Sequence, residues 1–369
     1  MSKRVGIIGF GWLVEGQGDP YYPSNLIYLL KTKTNIEYKF IVPKNAFIMK
    51  EINDNKKIRF YREYRSGSFL SIIKTSLCII DIIRIIKKEK IEFVHIPTTR
   101  PFWLFPLLLY LKIFTNCEIM IRMHEFYKKE GDLDIQNRFL MNKIEYYFES
   151  KLSDYIILGG KEMYYKYRKK FKTNAKIIIA SLGTYSILSN YGSSIKRDKN
   201  QILFFGRIER YKGVDVLLKS LSYLKKEYKL TIAGKATLEF SKKIKKLANV
   251  RLIDKYIPQN ELIKLFRKCA LVALPYRDGT QSGVVSLAYA FNKPVIVTKV
   301  GSIHEIVKHN VTGYVIPPND PKMLAKYINR ILGNTELQEN FEKKIEEYGY
   351  KINEKLIKTI IKPMRLSNQ

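Results

Sequence analysis

Cysteine, histidine and acidic residues are all scarce in this sequence, and each scarcity removes a class of function. The three cysteines (Cys78, Cys117, Cys269) are far apart and form no CxxC pair, which excludes a disulfide framework or a structural zinc site and fits a reducing compartment. Among the four histidines, His304-Glu305 is followed by His309, one position too late for the HExxH spacing that places two ligands on one helical face, so a zinc hydrolase is excluded. No GxxxxGK[ST] phosphate loop occurs. The one glycine-rich loop after an apolar run, Gly9-Phe10-Gly11-Trp12-Leu13-Val14, has Val14 where a dinucleotide fingerprint requires glycine, which weakens a nicotinamide oxidoreductase reading. Long apolar runs are missing too. The segment 101–114 (PFWLFPLLLYLKIF) is too short to span a bilayer, and contains Pro106 and Lys112. The run Val5 to Val14 behind Lys3 and Arg4 ends in Glu15 and Asp19 without a small-residue cleavage site; it reads as a first buried strand, not a signal peptide.

Acid is short relative to base. Against 66 Lys and Arg stand 34 Asp and Glu, a formal charge of +32. Such a field favours anionic partners: nucleic acid, acidic lipid or phosphorylated small molecules. The cations are spread along the chain, as in Lys242 to Lys246, with no compact arm and no aromatic-interleaved motif, so no nucleic-acid partner is expected.

What is present is a long chain with 46% hydrophobic residues, enough for two cores. Short apolar runs alternate with longer periodic segments, the pattern of α/β architecture with parallel sheets. Strands are expected at Val5–Phe10, Phe93–Ile96, Glu118–Met123, Tyr155–Leu158 and Lys176–Ala180, with helices from about Ser24 and over Phe69–Lys87. The latter helix is apolar on nearly every side, predicting cover on more than one face. The polar stretch 189–200 (SNYGSSIKRDKN) reads as a linker. Beyond it strands are expected at Ile202–Phe205, Leu230–Ala233, Val250–Ile253, Leu271–Leu274 and Pro294–Thr298. Helices are expected over Val214–Lys225 and Glu261–Arg267, near Gly283, after Asp320, and over Leu337–Ile361. The division is 1–188, a linker 189–200, 201–345, and a helical end 346–369 that packs back on the first domain.

Two sites of chemistry emerge. Gly206-Arg207-Ile208-Glu209-Arg210-Tyr211-Lys212-Gly213 lies between a strand and a helix, where Gly206 permits close backbone approach and Arg207 and Lys212 put two cations beside a strand end. Pro275 to Val284 (PYRDGTQSGV) ends a strand and opens a helix near Gly283, whose N–H groups suit a phosphate. His124 follows a strand and suits proton transfer or hydrogen bonding to a substrate.

On these residues the chain resembles the retaining glycosyltransferase family 4 of the GT-B fold. The matching units are GRIERYKG at 206–213, TIAGK at 231–235, DKYIPQNEL at 254–262, LPYRDGTQSGVVSLAYAFNKPVIVT at 274–298, GSIHE at 301–305 and HNVTGYVIPPNDP at 309–321. The first half matches more loosely, through Met123-His124-Glu125 and Ser153 to Ile157. The resemblance implies two Rossmann-like domains facing each other across a cleft, and a nucleoside-diphosphate sugar as substrate, with no cofactor and no metal. In the family, residues matching Arg207 and Lys212 bind the donor diphosphate, as does the loop matching Gln281, Ser282, Gly283 and Val284. The segment matching Tyr256-Ile257 lies along the base, and the residue matching His124 faces sugar and acceptor. Gly206, Gly234 and, in the first loop, Gly11 are expected to line the donor site. The family's usual pair of glutamates is replaced by Gly279 or Thr280 and by Leu287 or Ala288, as in a TQSGV-type subgroup where Asp278 is the nearest acid.

The expected activity is transfer to a glycan or lipid-linked acceptor in cell-surface polysaccharide, glycolipid or lipid-linked oligosaccharide synthesis. A catalytically weak nucleotide-sugar-binding protein of the same fold stands as the alternative. Phe102, Trp103, Leu104 and Phe105, beside Arg100 and near Lys87, Lys88 and Lys90, suggest peripheral docking on an anionic membrane surface from the cytoplasm.

Overall fold

In the computed structural model the described residues are 3–9, 21–44, 46, 49–62, 71–97, 104–124, 126, 139–192, 194–225 and 227–365, with side chains excluded at 71–76 and 139–143. Gly11, Arg100, Phe102, Trp103 and Glu125, all singled out above, lie outside them.

The chain divides into two compact units. The first takes the described residues of 1–126, 137–181 and 354–369; the second takes Leu182–Asn353. In the first, β1 (Val5–Ile8), α1 (Tyr21–Lys33), β2 (Tyr38–Pro43) and β3 (Ile58–Tyr61) precede α2 (Ser71–Lys88), β4 (Phe93–Ile96) and α3 (Leu104–Phe114). Then come β5 (Glu118–Arg122), α4 (Phe139–Leu152), β6 (Tyr155–Leu158), α5 (Lys161–Lys170) and β7 (Lys176–Ile179). The sheet is parallel with order β3-β2-β1-β4-β5-β6-β7. Its central strands read as continuous apolar runs because helices cover both faces of such a sheet: β1 and β4 are buried at every position.

The second unit runs β8 (Gln201–Phe205), α6 (Val214–Ser220), β9 (Lys229–Ala233), α7 (Leu238–Ile244), β10 (Val250–Ile253), α8 (Gln259–Lys268) and β11 (Leu271–Leu274). It continues through α9 (Gly283–Ala290), β12 (Val295–Thr298), β13 (Gly313–Ile316) and α10 (Pro321–Leu332). The last helix, α11 (Thr335–Ile361), gives its residues through Asn353 to this unit and those from Glu354 to the first. The sheet is again parallel, in the order β10-β9-β8-β11-β12-β13. The α10 start follows from its residues: the Asp320 side chain accepts from Met323 N at 2.8 Å and Pro321 occupies the first turn, where its missing N–H costs nothing.

Several details differ from the sequence-based expectations. The first strand ends at Ile8, and α1 begins at Tyr21, three residues before Ser24, because Tyr21 and Tyr22 are themselves buried. The helix expected over Val214–Lys225 stops at Ser220, whose hydroxyl donates back to Leu217 O at 2.7 Å, and a tight turn follows through Tyr223. In α2, cover is one-sided from Leu77 onward: Cys78, Ile82 and Ile86 are buried while Leu77 and Ile80 are exposed. Residues 189–200 lie on the second unit. Arg267 Nε donates to Tyr191 O at 3.0 Å and Asp198 N to Lys268 O at 2.9 Å, while the chain passes between units at Ser181 and Leu182. Strands β2, β3 and β13 and helices α4 and α5 were not anticipated; β13 was hidden inside a segment read as a turn.

Candidate functional site

In the second sheet the first strand, β8, is central. The chain winds outward through β9 and β10 on one side and β11 to β13 on the other. The strand order therefore reverses between β8 and β11, and in open parallel sheets ligands bind beyond the carboxyl ends of strands at such a point. The two loops that leave those ends are 206–213 and 275–282.

Close backbone approach shapes both. Gly213 has φ +69°, and a Cβ there would lie 1.8 Å from the Pro275 carbonyl oxygen, so only glycine lets the loop after β8 press against the loop after β11. Gly234, after β9, has φ +143°, and its Cβ would lie 2.0 Å from Gly206 O. Hydrogen bonds knit the same two loops: Arg277 N donates to Tyr211 O at 2.7 Å and Asp278 N donates to it at 3.4 Å.

The cations stand on this frame. Arg207 donates from Nη2 to the Tyr211 hydroxyl at 2.9 Å and from Nη1 to Glu209 Oε1 at 3.2 Å, and its side chain keeps 40% exposure. Lys212 places Nζ 3.9 Å from the centre of the Tyr276 ring, in cation–π range, which fixes the ammonium over the β11 loop. Tyr276 is buried, and its hydroxyl shares a 3.3 Å hydrogen bond with Ser282 Oγ. Burial raises its pKa above the usual value against the smaller opposing pulls of the Ser282 hydrogen bond and the Arg207 charge, so the ring stays a neutral cushion for the cation. Arg277 is not a third ligand cation, since it pairs with Asp215 of α6.

With its hydroxyl turned to Tyr276, Ser282 does not cap α9, and no side-chain cap closes that helix N-terminus. Val284 lies beside Gly206: a Cβ on the glycine would be 3.7 Å from Val284 Cγ2. The folded loops thus bring together Gly206, Arg207, Lys212, Gly234, Asp278 and the run Gln281 to Val284. Asp278 is turned inward on its own loop, its Oδ1 accepting from Gly279 N at 2.7 Å. Behind it, Thr280 is fully buried; its carbonyl accepts from Ser302 N at 2.8 Å, and its hydroxyl has no partner.

Two predicted residues stand off from this group. Tyr256 and Ile257 follow β10, two strands from β8; Tyr256 is exposed and Ile257 buried. Their loop is tied to the one after β9, Asp254 Oδ1 accepting from Ala236 N at 3.0 Å. That bond holds the Asp254 carboxyl below its usual range. His124 belongs to the first unit, just past β5. Its Nε2 donates to Pro97 O at 2.9 Å, and the ring meets Tyr22 edge to face at 6.0 Å. Tyr211, Tyr276 and Thr280 are the site residues that sequence reasoning missed. The signal was there: each aromatic sits at a strand exit beside a basic loop. Among the described residues no group of three or more His, Cys, Asp or Glu is placed to hold a metal ion.

Residues 191–348 match the family model described as glycosyl transferases group 1. An uncharacterized glycosyltransferase of Methanocaldococcus jannaschii is 28% identical over 203 residues, 54% of this chain and 56% of that protein. A D-inositol 3-phosphate glycosyltransferase of Xylanimonas cellulosilytica is 28% identical over 145 residues, 37% of this chain and 35% of that protein. The chain thus spans about half, or less, of the length of the curated relatives it matches. The sucrose-phosphate synthase structure from Thermosynechococcus elongatus superposes with a TM-score of 0.72 at 16% identity, covering 97% of each chain. An Anabaena structure, HepE in complex with UDP-glucose, superposes with a TM-score of 0.69 at 13% identity, covering 97% of this chain and 99% of that one. The fold is GT-B, and residues 191–348 are similar to the glycosyl transferases of group 1.

Proposed function

We propose that the protein transfers a sugar from a nucleoside-diphosphate sugar to a glycan or lipid-linked acceptor, with retention of configuration and without a metal ion. The carrying observation is the pair of cations Arg207 and Lys212, locked by Tyr211 and Tyr276 beside the uncapped N-terminus of α9. A departing diphosphate gathers negative charge as its bond to the sugar breaks. Fixed cations and helix N–H groups aimed at that charge lower the barrier without rearranging.

In this reading Gln281 to Val284 and Gly206 hold the diphosphate, Gly234 gives it room, and Asp278 is the nearest acid to the sugar. Tyr256 and Ile257 lie along the base. The acceptor hydroxyl attacks the anomeric carbon on the face from which the diphosphate leaves. The bonding pair goes to the leaving phosphate oxygen, which also takes the acceptor proton. His124 is the residue proposed to hydrogen-bond the transferred sugar. With the charge met by Arg207, Lys212 and α9, no divalent ion is needed for the leaving group.

A panel of nucleoside-diphosphate sugars in excess EDTA tests this. One donor is expected to release its nucleoside diphosphate at an undiminished rate, and NMR of the product to show the donor's anomeric configuration. Loss of turnover on chelation, restored by Mg²⁺ or Mn²⁺, contradicts the metal-free route. A second reading, binding without turnover, draws on Gly279 or Thr280 and Leu287 or Ala288 standing in place of the family's glutamates. It predicts saturable donor binding with no diphosphate release from any member of the panel.

A further inference from the structure

Among the described residues, the first unit carries an unpartnered apolar face. Helix α2 packs beside α3, and α3 beside α4. Of sixteen large hydrophobic residues exposed among the described residues, seven lie on these three helices, and the rest are scattered. Phe114 is 69% exposed, Ile113 61% and Tyr147 53%, and Ile80, Leu109 and Ile144 on the same three helices are exposed as well. In α3 the leucines at 104, 107, 108 and 111 are fully buried while Leu109 and Ile113 face out, so the helix is apolar on both sides. A helix apolar all round is ordinarily covered on every side, and contiguous exposed apolar surface marks an interaction site. Phe105, expected at the docking edge, is instead half-buried, its ring 4.1 Å from that of Phe148.

The charge on the same face has one sign. Among the described side chains of α2, α3 and α4, every exposed charge is a cation: Arg84, Lys87, Lys88, Lys112 and Lys151. The carboxylates are withdrawn. Asp81 is half-buried and paired with Arg62 and Arg84, and Glu145 and Glu149 are buried. Asp154, just past α4, is paired with Lys112. Lys87 and Lys151 lie over the Tyr110 and Tyr147 rings, their stems on apolar surface and their heads at its rim, the arrangement by which lysine reaches a headgroup layer.

We propose that the outer face of α2, α3 and α4 docks on an anionic lipid surface, with Ile113, Phe114 and Tyr147 entering the interface and the cations binding lipid headgroups. Apolar insertion and attraction to anionic lipid then act on one plane. This deepens the lipid-linked acceptor reading by naming the membrane partner, but it rests on the surface alone. Because docking is read without turnover, either idea can fail while the other stands.

The test is sedimentation of the full chain with vesicles of phosphatidylcholine alone, or of phosphatidylcholine and phosphatidylglycerol in equal parts. Binding is expected only to the anionic vesicles and should fall about tenfold or more at high salt. Ile113→Ser with Phe114→Ser should weaken it at least tenfold at every salt concentration. Lys87→Gln with Lys88→Gln should weaken it mainly at low salt, flattening the salt dependence. Leu238→Ser, on the second unit, should change nothing. Each substituted residue is exposed, and matched circular dichroism melts check that the fold is kept. Equal binding to neutral vesicles, no binding, or indifference to both double variants overturns the proposal. So does a dimer that dissociates in Ile113→Ser with Phe114→Ser while vesicles bind nothing, which would make the face a contact between two copies.

Discussion

The two sheets share a strand order around their first strand, yet they send their polar groups in opposite directions. On β4 and β5 of the first sheet two polar groups point inward. Arg122 is fully buried, its Nε on the Tyr22 hydroxyl at 2.7 Å and its Nη2 on Ala180 O and Ser181 O at 3.0 Å each. His95 is fully buried with Nδ1 donating to Met120 O at 3.2 Å. At the reversal point of the second sheet, Arg207 and Lys212 sit on aromatic cushions with part of each side chain in solvent. Topology puts a reversal point in both sheets; among the described residues Arg122 is spent on backbone carbonyls of its own unit, whereas Arg207 and Lys212 keep part of each side chain in solvent.

The sharpest break in that comparison is removal of a crevice cation. Arg207→Ala, and separately Lys212→Ala, should each lose on the order of 3 kcal/mol of transition-state stabilisation, a hundredfold or more in rate, with an unchanged melting temperature. Arg122→Ala in the first unit should do the reverse and lower stability, since it strips hydrogen bonds from a buried network. A stability loss in the Lys212 variant with full turnover per folded molecule would overturn the contrast.

Glycine substitutions probe the loops themselves. Gly213→Ala places a methyl into the Pro275 carbonyl in a left-handed conformation, and should cost about 2–3 kcal/mol as well as donor affinity. Gly206→Ala would only touch Val284 Cγ2 at an ordinary 3.7 Å, so backbone strain of about 1–2 kcal/mol at a positive φ is the expected cost. Urea unfolding compares the two; equal losses would mean the loops are not wedged together.

Smaller still is a pH effect. Burial drives the His95 pKa from 6.5 down to about 3, helped by the charge on Arg122 and opposed by its bond to Met120. Between those values the unfolded chain binds the proton and the folded one does not. His95 therefore contributes its full stability above pH 6.5 and loses it as pH falls toward 3. Asp198 and Asp254, held below their usual range by hydrogen bonds, also weaken the fold on the acid side, so the readout is the difference between the native protein and His95→Phe. The native protein should lose stability more steeply, by up to one proton; identical slopes would contradict a neutral buried ring.

Smallest is Thr280→Val. The hydroxyl has no partner, so its removal leaves stability unchanged or slightly higher. Transfer that falls at constant melting temperature would show that this hydroxyl meets the donor.

Legibility in the sequence follows the same division. In the second unit, glycines and cations at strand exits have fixed spacing, so GRIERYKG and the run to Val284 could be placed before any fold was known. Pairings that depend on tertiary approach could not: Lys212 over Tyr276, or Gly213 against Pro275, joins residues some sixty positions apart. In the first unit the strands β1, β4, β5 and β6 showed as apolar runs, whereas β2 and β3 carry Lys39 and Arg59 in mid-strand and were not distinguishable from loop. Phe105, expected at a docking edge, is half-buried: apolar residues alone do not say which side of a helix is covered.

Calorimetric titration of the full chain with a set of nucleoside diphosphates, repeated on Arg207→Ala and Lys212→Ala, tests the central claim most directly. The β8–β11 crevice predicts that at least one nucleoside diphosphate binds the native protein in a one-to-one ratio, without added metal. It also predicts that each substitution weakens that binding tenfold or more at an unchanged melting temperature. Binding of equal strength in both variants, or no binding of any nucleoside diphosphate, would contradict it.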